Sequence, residues 1–214
     1  MRIDFVSDIA CPWCAIGLHS LEIALTRLQG VVEAEWHFQP FELNPDMAPE
    51  GEDIIEHIGR KYGATPEQTR RNQEAIRERG AAVGFTFAMD KRTRIHNTFD
   101  AHRLLHWAGL EGDRQRALKH ALLEAYFTRG ENPGDAEVLA RAAERAGLDP
   151  ARAREIVTSG EYGAAVRHRE GYYLERGIHS VPAVIIDGRH LIQGGQPPEV
   201  FEEALRRLAT QQPA

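Results

Sequence analysis

The chain has 214 residues, 42% hydrophobic and 27% charged, a balance that supports a packed globular core and excludes a disordered or fibrous polypeptide. Its formal net charge of −6 argues against a general nucleic-acid binder. No run approaches the ~18 consecutive apolar residues that a membrane span requires.

In chain order, residues 3–6 (Ile-Asp-Phe-Val) read as a short strand, and residues 15–28 read as an apolar helix. Between them stands Cys11-Pro12-Trp13-Cys14, which holds both cysteines of the chain. A C-x-x-C at a strand-to-helix junction is a favoured setting for thiol–disulfide chemistry. The start of a helix carries unpaired N–H groups and a partial positive charge, which stabilise a thiolate. The thiolate, not the thiol, is the nucleophile. On this reading Cys11 is the exposed attacking sulfur, and Cys14, one turn in and turned toward the interior, is the resolving one. Pro12 suits the first helical turn because its missing N–H has no helical partner there.

Other uses of two cysteines fit less well. A structural bridge across two intervening residues closes a very small loop and gains little from chain entropy. A structural zinc site usually takes four ligands, and no second C-x-x-C is present; no metal is expected. Asp4 and Asp8 stand where a secretory leader needs apolar residues, so a cytoplasmic protein is expected. In a reducing compartment, cysteine pairs tend to be catalytic or redox-sensing.

Val32, Ala34, Trp36 and Phe38 alternate with polar residues and read as a half-buried strand, ended by Pro40 and Asn44-Pro45. The first 45 residues therefore read β-α-β. From residue 49 to 177 no strand is expected. Helices are expected over 53–62, 66–83, 98–108, 114–128, 136–146 and 151–159, separated by Gly- and Pro-containing breaks. Thr65 before Pro66 reads as an N-cap and Gly147 as a helix C-terminal glycine. Residues 70–79 alternate in charge, as a solvated helix face does. Phe85-Thr86-Phe87 reads as an apolar loop or strand remnant. Strands return at 183–186 and 190–193, joined by the tight turn Asp187-Gly188. Pro197 or Pro198 opens a last helix over 199–209, and residues 211–214 read as a frayed tail.

Five segments together resemble one family. They are Asp8-Ile9-Ala10-Cys11-Pro12-Trp13-Cys14, Pro40-Phe41-Glu42-Leu43-Asn44-Pro45, Asn97-Thr98-Phe99-Asp100-Ala101-His102-Arg103-Leu104, Ile178-His179-Ser180-Val181-Pro182-Ala183, and Gly194-Gly195-Gln196. The chain resembles the DsbA family of thioredoxin-like oxidoreductases, in its FrnE-like cytosolic branch. The resemblance implies an α/β protein: a thioredoxin-like fold over residues 1–45 and 175–214, with a large all-helical domain, 46–174, inserted after the first β-α-β unit. It implies that Val181-Pro182 is a cis peptide facing the cysteines, where the Val181 backbone pairs with an extended substrate segment. Pro12 and Trp13 would then also contact substrate.

Supporting roles are open between function and structure. Asp8 and Glu42 are candidate carboxylates near the pair, one of which could take a proton from Cys14; they could equally be a turn residue and a surface carboxylate. Asn97 is a substrate contact or an N-cap. His96 and His102 stand six apart, so they do not share a helix face, and at most one points at the sulfurs. Gln196 reads as a loop hydrogen-bonder.

The expected function is thiol–disulfide exchange on a disulfide or thiol substrate, protein or small molecule. No cofactor is expected beyond the dithiol, glutathione being a possible redox partner, and no nucleic-acid or membrane partner is expected. One alternative is a glutathione-dependent transferase or isomerase of the kappa or 2-hydroxychromene-2-carboxylate isomerase type. Those families resemble this chain in architecture but typically place serine where Cys11 stands. A second alternative is a redox-linked chaperone. The substrate, the direction of the chemistry and the oligomeric state are open.

Overall fold

A computed structural model describes residues 1–211. Strand β1 (Arg2–Ser7) runs into helix α1 (Pro12–Arg27), and β2 (Glu35–Pro40) returns parallel to β1. A two-residue ladder, β3 (Glu52–Asp53) with β4 (Arg94–Ile95), brackets α2 (Ile54–Tyr62) and α3 (Pro66–Ala82). Then come α4 (Phe99–Ala108), α5 (Arg114–Leu123) with a π turn continuing it (Glu124–Thr128), α6 (Ala136–Arg145), α7 (Pro150–Ser159) and α8 (Gly163–Glu175). The chain closes with β5 (Ala183–Ile186), β6 (His190–Gln193) and α9 (Pro198–Gln211).

The main sheet has the order β2-β1-β5-β6, with β5 antiparallel to both β1 and β6. β1 is buried from Ile3 to Ser7, as expected of a central strand covered on both faces. Its register places Phe5 opposite both Phe38 and Val184. Arg27 of α1 pairs with Glu199 of α9 at 3.0 Å, tying the two helices together. The outer edge of β2 is closed by a side chain. Gln115 of α5 accepts from the Phe38 N–H (2.9 Å) and donates to the Phe38 carbonyl (3.2 Å), so an amide stands where another strand could pair. One apolar core runs without a break from Phe5 and Leu18 through Leu104, Leu122 and Phe127 to Phe201.

Several elements depart from expectation. β2 starts at Glu35 because the Val32 N–H still bonds the Leu28 carbonyl at the end of α1 (3.0 Å). β2 also retains Pro40, which an edge strand tolerates because its missing donor faces away from the ladder. The β3–β4 ladder was not expected, since two residues carry no periodicity. Helix α8 was missed: its buried stripe is Val166, Glu170 and Tyr173, with a carboxylate where an apolar residue would mark it. The tail expectation fails at Gln211, which ends α9; residues 212–214 lie outside the described residues.

Phe85 and Phe87 are buried, packing edge-on to each other at 4.8 Å. Gly80 of α3 makes room for them. A Cβ there would stand 2.4 Å from the Phe87 ring and 2.9 Å from the Phe85 carbonyl oxygen. In an open helix Gly→Ala stabilises by about 1 kcal/mol. Here overpacking outweighs that gain, and Gly80→Ala is expected to cost about 1–3 kcal/mol, read as a lowered urea midpoint. An unchanged or raised midpoint would place the ring elsewhere.

Candidate active site at the start of the first helix

Cys11 is the N-cap residue of α1, with extended backbone (φ −90°, ψ 113°) and Pro12 in the first turn behind it. The Cys11 N–H reaches back to the Asp8 carbonyl (3.4 Å), and the Cys14 N–H closes the turn onto the Cys11 carbonyl (3.1 Å). Both cysteines are free thiols. Cys14 is fully buried, and Cys11 is 4% exposed. The expectation of an exposed Cys11 is therefore corrected. It is covered by the loop before β5, and its Sγ donates to the Val181 carbonyl at 3.7 Å. Val181-Pro182 is a cis peptide, as the resemblance implies. The residue that reaches solvent at this junction is Trp13, 38% exposed.

Two glycines allow this packing. A Cβ on Gly17 would lie 3.1 Å from Pro182 Cγ and 3.4 Å from Gly195 Cα; one on Gly195 would lie 2.9 Å from the Trp13 carbonyl. Helix α1, the cis-proline loop and the turn after β6 therefore meet at backbone distance. Gln196 donates to Gln193 within its own turn (2.8 Å).

Burial pushes the Cys14 thiol well above its ordinary range, reinforced by its hydrogen bond with Cys11 and by that residue's charge; Lys119 acts in the opposite direction. In the dithiol state, then, Cys14 keeps its proton.

Asp8 is fully enclosed and acts as a clamp. It accepts from Thr98 Oγ1 (2.7 Å), the Leu43 N–H (2.8 Å), the Ala10 N–H (3.2 Å) and His102 Nε2 (3.4 Å). Burial alone would raise its pKa, but His102, Leu43 and Thr98 outweigh that and hold it below the ordinary carboxylate range. A carboxylate so satisfied is a weak base, which argues against Asp8 as proton acceptor for Cys14. Glu42 turns to α8 instead of the sulfurs, sharing Arg167 Nη1 with Glu170. Burial first, then Glu170, push it up to about 7 against the pull of Arg167. Asn97 lies one residue before the N-cap position of α4: it accepts from the Phe99 N–H (2.8 Å) and donates to the Met47 carbonyl (3.3 Å). His102 is buried against Asp8, whereas half-buried His96 packs near Tyr126 (6.4 Å).

Sequence reasoning missed two buried cations. Arg92 donates to the Ala10 carbonyl (3.2 Å) with its guanidinium over the rings of Tyr126 and Phe127, 4.8 Å from each centroid. Lys119 of α5 is fully buried. Neither carried a local signal: the rings that flank Arg92 are distant in the chain and meet it only in the fold, and Lys119 stands in an ordinary helical pattern. Among the described residues no group of three or more His, Cys, Asp or Glu side chains is placed to hold a metal ion, and no helix is long and apolar enough to cross a membrane.

The family model for the DSBA-like thioredoxin domain matches residues 2–206. A probable DsbA oxidoreductase from Streptomyces coelicolor superposes with a TM-score of 0.89 at 32% identity, covering 100% of this chain and 92% of that one. The cytosolic disulfide reductase DsbM from Pseudomonas aeruginosa has a TM-score of 0.68 at 15% identity, over 99% and 100% of the two chains, and is also known with GSH. A 2-hydroxychromene-2-carboxylate isomerase has 0.70 at 16%, over 99% and 97%. The last two likenesses concern the fold.

Proposed function

The chain belongs to the DSBA-like thioredoxin domain family, and from that premise we propose that it is a cytoplasmic thiol–disulfide oxidoreductase working through Cys11 and Cys14. The observation that carries this is the placement of the chain's two thiols at the N-terminus of α1, Cys11 as N-cap against the Val181 carbonyl and Cys14 sealed behind it.

The chemistry follows from that placement. The Cys11 sulfur attacks one sulfur of a substrate disulfide, and the other leaves as a thiolate. Cys14 then loses its proton and attacks Cys11 Sγ. The bond to substrate breaks, the substrate departs as a thiol, and the pair is left as a disulfide. The incoming chain lies along the Val181 backbone beside Trp13, by strand addition. In a reducing compartment the cycle runs as reduction or isomerisation, with glutathione or another thiol restoring the dithiol.

The test is turnover of a protein disulfide such as insulin, with dithiothreitol as the electron source. The protein is expected to accelerate reduction well above the dithiothreitol background, and no acceleration would reject the assignment. The isomerase reading makes a separate demand. It requires tight non-covalent glutathione binding by Cys11→Ser, measured calorimetrically; the oxidoreductase reading expects little heat.

A further inference from the structure

Lys119 is fully buried, and among the described residues its Nζ has no hydrogen-bond partner. An ammonium group out of water without a partner is costly, and such groups persist where their charge is used. Its location is fixed on two sides. Gln115, one turn earlier on the same face of α5, is anchored to the Phe38 backbone, and His120, the next residue, bonds Glu22 of α1 at 2.8 Å. Its helix neighbours Leu118 and Leu122 belong to the same buried cluster as Cys11 and Cys14, so Lys119 is enclosed in the core that holds the redox pair. The groups acting on it there are Cys14, Asp8 and Cys11, in decreasing order.

Asp8 acts on this charge only through space, because its oxygens accept from Thr98, Leu43, Ala10 and His102 and make no hydrogen bond with Nζ. The remaining neighbours are the two sulfurs. We propose that Lys119 is a positioning residue of the redox pair: its buried ammonium is the counter-charge that lets Cys14 ionise within the mixed disulfide and so sets the rate of resolution. This inference rests on the oxidoreductase reading and assigns a part of that machinery that the C-x-x-C motif does not contain.

The step balances without further reagents. Cys14 gives up its proton, its sulfur bonds to Cys11 Sγ, the Cys11–substrate S–S bond breaks, and the departing substrate sulfur takes the proton. The pair is oxidised by two electrons and the substrate disulfide is reduced by two. Lys119 stays an ammonium throughout and is not consumed. Burial brings that ammonium down to about 8, the two sulfurs and Asp8 opposing, so the charge is present at neutral pH and fades in mild alkali. The other titratable or charged side chains near Asp8 and the redox pair are His102 of α4, which bonds Asp8, and Arg92, at the Ala10 carbonyl.

The experiment forms the mixed disulfide of the full-length protein with a chromogenic aromatic disulfide, such as 5,5′-dithiobis(2-nitrobenzoate), and follows release of the second aromatic thiol between pH 6 and 9. With Lys119→Met, the first thiol is expected at the wild-type rate and the second about tenfold or more slower at pH 7, the loss corresponding to one unit or more in the ionisation of Cys14. The wild-type resolution rate should level off near pH 8, whereas that of the variant should keep rising with pH. A merely structural lysine predicts the opposite pattern, a lower urea midpoint with unchanged resolution; removing an orphan buried charge should instead leave the midpoint equal or higher. If Lys119→Met does not fold, Lys119→Gln is measured in the same way. Resolution at the wild-type rate across the pH range in a folded variant overturns the proposal. Failure of the wild-type protein to form the mixed disulfide would overturn the oxidoreductase reading instead, which separates the two.

Discussion

Cys14→Ser is expected to accumulate a stable mixed disulfide through Cys11, and Cys11→Ser none at all. The asymmetry follows from burial. Cys11 lies at the helix start against the Val181 carbonyl and keeps 4% of its surface exposed, while Cys14 has no exposed surface and a thiol pushed well above its ordinary range. A substrate disulfide can therefore be attacked only from Cys11. Without Cys14 the captured substrate has no internal exit and leaves only by external thiol. Turnover should fall about 10³-fold or more in either variant, because losing one member of a catalytic pair costs nearly as much as losing both. Non-reducing gels and intact mass after incubation with a disulfide substrate distinguish them. Equal trapping by both variants, or trapping by Cys11→Ser alone, contradicts the assignment.

Asp8→Ala is expected to be the most destabilising polar substitution in the protein, at about 3–5 kcal/mol. One carboxylate satisfies four donors, three of them buried and the Leu43 N–H part-buried, drawn from the loop before α1, the segment after β2, and α4. Its removal leaves them without an acceptor, each costing on the order of 1–3 kcal/mol before relaxation. The acid limb of stability should report the same group. Asp8 is held below its ordinary range in the folded protein, so in acid the unfolded chain binds more protons than the native state. The clamp's contribution is present above about pH 4, the ordinary carboxylate range, and is lost as pH falls through the lower folded value. Asp8→Asn should therefore be less stable than wild type at pH 7, with a shallower decline below pH 4. Urea midpoints at pH 7 and pH 3 with unchanged m-values measure both effects. A variant within 0.5 kcal/mol of wild type at pH 7, the range typical of surface changes, would show that the clamp contributes nothing.

The parts of this site legible in the sequence were those whose chemistry is local. A C-x-x-C after an apolar run announces a helix start because strand, cap and proline lie within a few residues, and the β5–β6 hairpin announces itself through Asp187-Gly188. The rest is tertiary. Asp8 could be named as a candidate, but its saturation depends on Leu43, Thr98 and His102, which only folding brings together, and that saturation turns it from a base into a clamp. Lys119 lies in Leu118-Lys119-His120-Ala121, where a lysine reads as the wet face of a helix, and nothing local shows that the fold buries it. Helix α8 was lost for a related reason, since Glu170 on its buried stripe is tolerated only because Arg167 stands one turn away.

The most direct measurement is the thiol state of Cys11 and Cys14 across a series of glutathione redox buffers, quenched in acid, alkylated and resolved by mass. The account predicts a single two-electron transition from a doubly alkylated protein to an intramolecular Cys11–Cys14 disulfide that alkylates nowhere. A protein that gains only a glutathione adduct on Cys11, with Cys14 still alkylated on unfolding at every ratio, would contradict it.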